Sequence, residues 1–149
     1  MLKKYLQLEK IVSSVFRKYS IPILSISMGI IYLWFGFLKI VGKSPAEELV
    51  SVTTAWIGIE NFVIFLGFWE MAIGLCFLVS RWIRAALWLL IFHIPGIFLP
   101  ILISPAKVFT VFPFGLTIVG QYIIKNLLVV AVGIVLFGTL GETSKKNKL

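Results

Sequence analysis

Asn61–Ser80 reads NFVIFLGFWEMAIGLCFLVS. One ionisable residue, Glu70, interrupts a run otherwise suited to hydrocarbon. A run of about 20 apolar residues has the length of a membrane-crossing helix. A carboxylate near its middle is costly in lipid, so it must turn inward and find partners on other helices. Both inferences decide how the remaining sequence is read.

Three further runs have the same character: Pro22–Gly42, Trp82–Ile103 and Gln121–Gly141. Together the four occupy more than half of 149 residues, 60% of them hydrophobic and only 13% charged. A soluble domain of this size cannot hide so much apolar surface. The expected fold class is therefore all-α: an integral membrane four-helix bundle forming a single domain over residues 1–149. The first twenty residues do not fit a cleavable signal, because the apolar run after them is span-length and lacks a small-residue cleavage site.

The net charge of +8 orients the chain and does not call for nucleic acid. With Met1 inside, Lys3, Lys4, Lys10, Arg17, Lys18, Arg81, Arg84, Lys145, Lys146 and Lys148 are cytoplasmic. Only Lys43 and Lys107 are outside, beside Glu47, Glu48 and Glu60. This asymmetry places both termini in the cytoplasm.

Within residues 1–20, Tyr5, Leu8, Val12, Val15 and Tyr19 share one helix face, and Lys3, Gln7, Lys10, Ser14 and Arg17 another. That pattern suits an interfacial helix on an anionic leaflet, ended by Ser20 as cap and Pro22 as the first turn of the span. Between the first two spans, Ser44 and Glu47 have capping-box spacing with Pro45 between them, so a short outer helix is expected near residues 45–56. Ser44-Pro45-Ala46 recurs as Ser104-Pro105-Ala106, and Gly36 as Gly96, a faint repeat at an offset of 60.

Each span marks one stripe with small or polar residues. These are Ser25, Gly29, Tyr32, Gly36 and Lys39; Gly67, Glu70 and Gly74; Ala86, Leu89, His93, Gly96 and Pro100; and Gln121, Tyr122, Lys125 and Asn126. Alternating spacings of three and four define the seam of a left-handed bundle, and in lipid close packing at small residues and polar contacts drive association. Counted from the outer ends, Lys39 and Lys125 lie about 5–6 Å deep, and Glu70 and His93 about 14–15 Å deep. Two tiers follow: cations near the outside, and acid plus imidazole near the midplane. Each assignment has a plainer alternative: Glu70 as structural glue, His93 bonding a carbonyl freed by Pro95, and Lys39 or Lys125 snorkelling outward. Trp34 and Trp69, deep in their spans, are candidate cavity walls.

Several chemistries are disfavoured. One histidine cannot supply bis-His haem, no cluster offers three metal ligands, and one cysteine, Cys76, permits no disulfide within the chain. No phosphate loop or nucleophile elbow is present.

The segments IIYLWFGFLKIVGKSPAEELV (30–50), FWEMAIGLCFLV (68–79), FHIPGIFLPILISP (92–105) and LTIVGQYIIKNLLVVAVGIVL (116–136) resemble the DoxX-like family of four-span membrane proteins. The likeness runs from about residue 24 to 139, with Gly-Gln-Tyr-Ile-Ile-Lys-Asn (120–126) its most specific part. Two positions depart from the family pattern: Val119 stands where an acid is expected, and Ile97 where a small hydroxyl residue is expected. The resemblance implies a bacterial cytoplasmic membrane protein. Some relatives are subunits of thiosulfate:quinone oxidoreductase, and others are linked to redox complexes or to oxidative and hypochlorite stress.

The functional expectation joins both lines. The chain is a subunit of a membrane redox assembly, beside other redox subunits or copies of itself, with a quinone or similar small lipophilic or anionic partner held in a polar pocket of the outer half. Lys39, Lys125, Gln121, Tyr122 and Asn126 bind that partner, and Glu70 and His93 relay protons. The alternatives are a non-catalytic assembly factor or scaffold, and a carrier for a small anion or weak acid.

Overall fold

A computed structural model describes residues 2–58 and 61–146. Glu60 and Lys148, counted in the charge asymmetry, lie outside the described residues, as do the side chains of Lys3, Lys145 and Lys146. The chain is mostly helical. In order it forms α1 (Leu2–Ile40), α2 (Glu47–Thr54), α3 (Phe62–Leu78), α4 (Ile83–Ile103), α5 (Pro105–Val108), α6 (Ile118–Lys125) and α7 (Leu127–Lys146). Short 3-10 turns follow α2 and α3, and an antiparallel hairpin of β1 (Phe109–Val111) and β2 (Gly115–Leu116) precedes α6. Three stretches, Lys4–Ile40, Ser80–Ile103 and Ile118–Leu140, are long and apolar enough to cross a membrane, and the 17 residues of α3 are a shorter apolar helix.

The four apolar helices pack side by side: α1 on α3, α3 on α4, α4 on α7, and α7 back on α1. The α1–α3 contact is the most extensive, and glycine explains it. A Cβ on Gly36 would lie 2.7 Å from the Gly67 carbonyl oxygen, and one on Gly67 would lie 2.8 Å from that of Gly36. One heptad away, a Cβ on Gly74 would lie 2.8 Å from the Gly29 oxygen. The two backbones therefore touch at two facing glycine pairs, an approach no larger residue permits. Ser25 Oγ adds a 2.7 Å hydrogen bond to the Phe77 carbonyl across the same seam. Below it, Met28, Ile73, Phe77, Leu87, Leu90 and Leu136 form the main core.

Elsewhere large apolar side chains face outward. Trp34, Phe92, Leu102, Leu128 and Ile134 are all more than 60% exposed. A monomeric soluble protein rarely leaves so much apolar surface uncovered.

Three local expectations require correction. The break at Ser20–Pro22 is absent: α1 is one helix of 39 residues, with Pro22 inside it. Pro22 is exposed, as are residues 4–20, so burial against the other described residues does not force a turn there. Ser20 Oγ donates to the Arg17 carbonyl and does not cap. The Ser44–Glu47 capping box does not form either, since α2 starts after Ala46 with no side-chain cap and Ser44 Oγ accepts from the Ala46 N–H. The fourth apolar run begins earlier, at Ile118, and is interrupted at Asn126. Both Ser-Pro-Ala segments lead into short helices, α2 and α5, whereas Gly96 meets open space, unlike Gly36.

Candidate functional site

Glu70 is the centre of a buried triad. Gly67 and Gly74 bring α3 against α1, and Glu70 lies on the same face, one turn from each. Lys39, in the last turn of α1, extends its side chain inward along that seam. Its Nζ donates to Glu70 Oε2 at 2.5 Å. Their depths differ by about 9 Å along the helix axes, and the lysine side chain covers that difference directly. From α4, His93 places Nε2 at 3.3 Å from Glu70 Oε1. All three residues are buried, at 6–7% exposure. Each carboxylate oxygen thus has its own partner, on a different helix.

Tyr32 completes the wall. It is buried on α1 and meets the His93 ring edge-on, with centroids 5.7 Å apart and planes at 71°. Pro95 and Pro100 lie within α4, and each removes one backbone donor, leaving the Ile91 and Gly96 carbonyls without that partner. The imidazole nonetheless turns to Glu70.

The other expected site residues lie apart from the triad. Gln121, Tyr122 and Lys125 are exposed on α6, and Asn126 is half-buried at its end. Lys125 Nζ sits 5.5 Å from the Tyr122 ring centroid, and Asn126 Nδ2 donates to the Tyr122 carbonyl at 3.0 Å. The rotation of α6 explains this. Thr117 caps it, accepting from the Gly120 N–H at 2.9 Å and donating to the Lys107 carbonyl at 2.7 Å. Gly120 is so close to the preceding segment that a Cβ there would lie 2.1 Å from the Val108 carbonyl oxygen. With Gly120 and Ile123 fixed inward against Leu49 and Val108, the polar residues of α6 face out. Trp34 is likewise exposed, while Trp69 packs against the main core.

A second polar link joins the connecting segments. Lys107 donates to Glu48, tying α5 to α2. That hydrogen bond, followed by the charge of Lys107, holds the Glu48 carboxyl below the usual carboxylate range. On α2, Ser51 and Thr54 donate to carbonyls one turn back, whereas Thr53 Oγ1 is buried without a hydrogen-bond partner among the described residues.

Tyr32 and the cap at Thr117 were not singled out for function in the sequence. The aromatic-imidazole contact has no sequence signature beyond Tyr32 lying on the seam. Among the described residues no three His, Cys, Asp or Glu side chains converge. Shallow grooves along Leu6–Ser20 of α1 share no residue with the triad.

Comparison of the chain with protein-family models, with curated proteins and with solved structures finds no match to any of them.

Proposed function

We propose that the chain is a DoxX-like four-helix bundle of a bacterial cytoplasmic membrane, with both termini inside, serving as a subunit of a redox assembly that binds a quinone or a similar small lipophilic partner. The observation that carries this reading is the triad: a buried carboxylate bridging an ammonium on one helix and an imidazole on another. Intramembrane acids placed this way are characteristic of proton pathways. His93 Nε2 stands 3.3 Å from one carboxylate oxygen of Glu70, close enough for proton exchange with a small movement, and Lys39 occupies the other oxygen.

The exposed patch on α6 supplies the binding half of the proposal. Lys125, Gln121 and Asn126 offer donors for a quinone carbonyl, and the Tyr122 ring offers a stacking surface on a flank that lipid-dissolved molecules reach. Lys125 has no acidic partner among the described residues, so its charge is available to an electron-rich ligand.

The test is titration of a ubiquinone or menaquinone analogue against purified protein. Lys125→Met is expected to weaken binding about tenfold, the loss of one charge-assisted hydrogen bond, and Glu70→Gln to alter its pH dependence. Equal binding by wild type and both variants would remove the ligand from this reading.

A second reading is a non-catalytic membrane scaffold. It is favoured by the mutual satisfaction of Lys39, Glu70 and His93, which leaves the triad complete without any ligand. Here purification recovers partner proteins whose activity survives Glu70→Gln.

A further inference from the structure

The first half of α1 carries apolar side chains left exposed among the described residues. Tyr5, Leu8, Val12, Val15 and Tyr19 are between 42% and 70% exposed. They recur at intervals of three and four, the core positions of a heptad repeat. In the same phase Lys10 and Arg17 occupy the outermost position, and Gln7 and Ser14 lie beside it. Lys4 and Glu9 flank the apolar stripe on opposite sides, as do Ile11 and Phe16.

This stripe is not the seam that α1 uses inside the molecule. The buried face of its second half runs through Ser25, Met28, Tyr32, Gly36 and Lys39. At about 100° per residue, Tyr19 and Ser25 are about 120° apart around the axis. The stripe therefore lies on a flank turned away from α3.

Length adds a second argument. The apolar stretch Lys4–Ile40 holds 37 residues in one continuous helix. It extends about 55 Å, against a hydrocarbon thickness of about 30 Å. Its first half must leave the hydrocarbon without a break at Pro22, so it cannot turn to lie flat on the leaflet. A helix segment that projects beyond the bilayer leaves its apolar face in water unless something packs on it, and a second helix is one cover.

We propose that this projecting half of α1 pairs in parallel with the same segment of a second copy of the chain, with Tyr5, Leu8, Val12, Val15 and Tyr19 forming the seam. Charge selects the partner. In a parallel pair, the residue preceding one core position meets a residue five places on in the other helix. Lys4 then meets Glu9 of the second copy, the reciprocal pair forms by symmetry, and Ile11 meets Phe16 in the next heptad. An antiparallel pair would set Lys4 against a like charge. Two copies inserted the same way into one membrane have parallel α1 helices in any case. The inference rests on the membrane reading above and is independent of the ligand.

The test uses the full chain in native membranes. On a Cys76→Ser background, single cysteines replace Leu8, Lys10, Val12, Val15 and Arg17 in turn, and oxidative cross-linking is read as dimer on a denaturing gel. Positions 8, 12 and 15 are expected to exceed 10 and 17 severalfold. A flat profile, or no dimer at any position, overturns the pairing and leaves a lipid surface or another protein as the occupant. In detergent, Lys4→Glu and Glu9→Lys are each expected to weaken dimerisation about tenfold, and the double exchange to restore it. Failure of the double exchange to restore what each single exchange weakens overturns the register. Membrane fractionation is scored separately: a soluble chain would sink the membrane reading, and the cross-linking period would still decide the pairing.

Discussion

Lys39 and Glu70, thirty-one residues apart in sequence, share a 2.5 Å hydrogen bond inside the helix packing, and His93 takes up the other carboxylate oxygen. Neither charge is exposed enough for water to replace its partner. Removing one partner therefore costs far more than removing both. Lys39→Met is expected to destabilise the fold by about 3–5 kcal/mol, because it leaves one buried carboxylate oxygen of Glu70 without its partner. Lys39→Met combined with Glu70→Leu is expected to recover most of that loss. Detergent-titrated unfolding of the two single variants and the double variant measures the coupling, and simple additivity would count against a functional ion pair.

The facing glycines give a steric prediction. Gly36→Ala or Gly67→Ala places a methyl within 2.9 Å of backbone atoms on the other helix. Forcing the helices apart is expected to cost about 1–3 kcal/mol and to withdraw Lys39 from Glu70. Gly96→Ala and Gly138→Ala, which meet nothing within 4 Å inside their helices, are expected to leave stability unchanged or raise it by up to about 1 kcal/mol. The contrast between these pairs in thermal melts is the measurement.

Glu48 and Lys107 set a pH response in the segment that covers one end of the helices. The folded Glu48 carboxyl titrates below its unfolded value, held down by Lys107. Its contribution is thus complete above the usual carboxylate range and is lost as pH falls through the lowered value. Hydrogen-exchange protection in residues 105–117, taken relative to the intrinsic amide rate at each pH, is expected to fall on acidification below that range. Glu48→Gln should show the lower protection already at neutral pH, with no further acid step. High salt should have a similar effect, since the pair is exposed.

Thr53 offers a substitution expected to stabilise. Its hydroxyl is buried without a hydrogen-bond partner, so Thr53→Val removes an unsatisfied group while keeping the shape. A gain of up to about 1 kcal/mol is expected. A loss of similar size would mean that the hydroxyl serves a ligand or a bound water.

Thr117→Val removes the cap of α6. Losing the bond from the Gly120 N–H should cost about 1 kcal/mol. Faster amide exchange at residues 118–121 would report it locally.

The long apolar runs were legible because hydropathy and length are local properties. Trp82–Ile103 matches α4 almost to the residue. The grouping of Lys39, Glu70 and His93 was also readable, since three-and-four spacing with glycine marks the side of a helix that packs. That rule misdirected the reading of Lys125. The orientation of α6 depends on a close approach between Gly120 and Val108, which only the folded chain brings together. The hairpin at Phe109–Leu116 was missed because its strands are two and three residues long, too short for alternation to register. The continuity of α1 through Pro22 was missed because a proline in sequence carries no information about whether a neighbour forces a turn there.

The two glycine contacts between α1 and α3 are about 10.5 Å apart along the axes. Pinned at two points, these helices can neither slide nor roll against each other, so they form one rigid plate carrying Lys39 and Glu70 together. His93, on α4, meets Glu70 across the edge of that plate, so a shift of α4 against it would change the separation of carboxylate and imidazole.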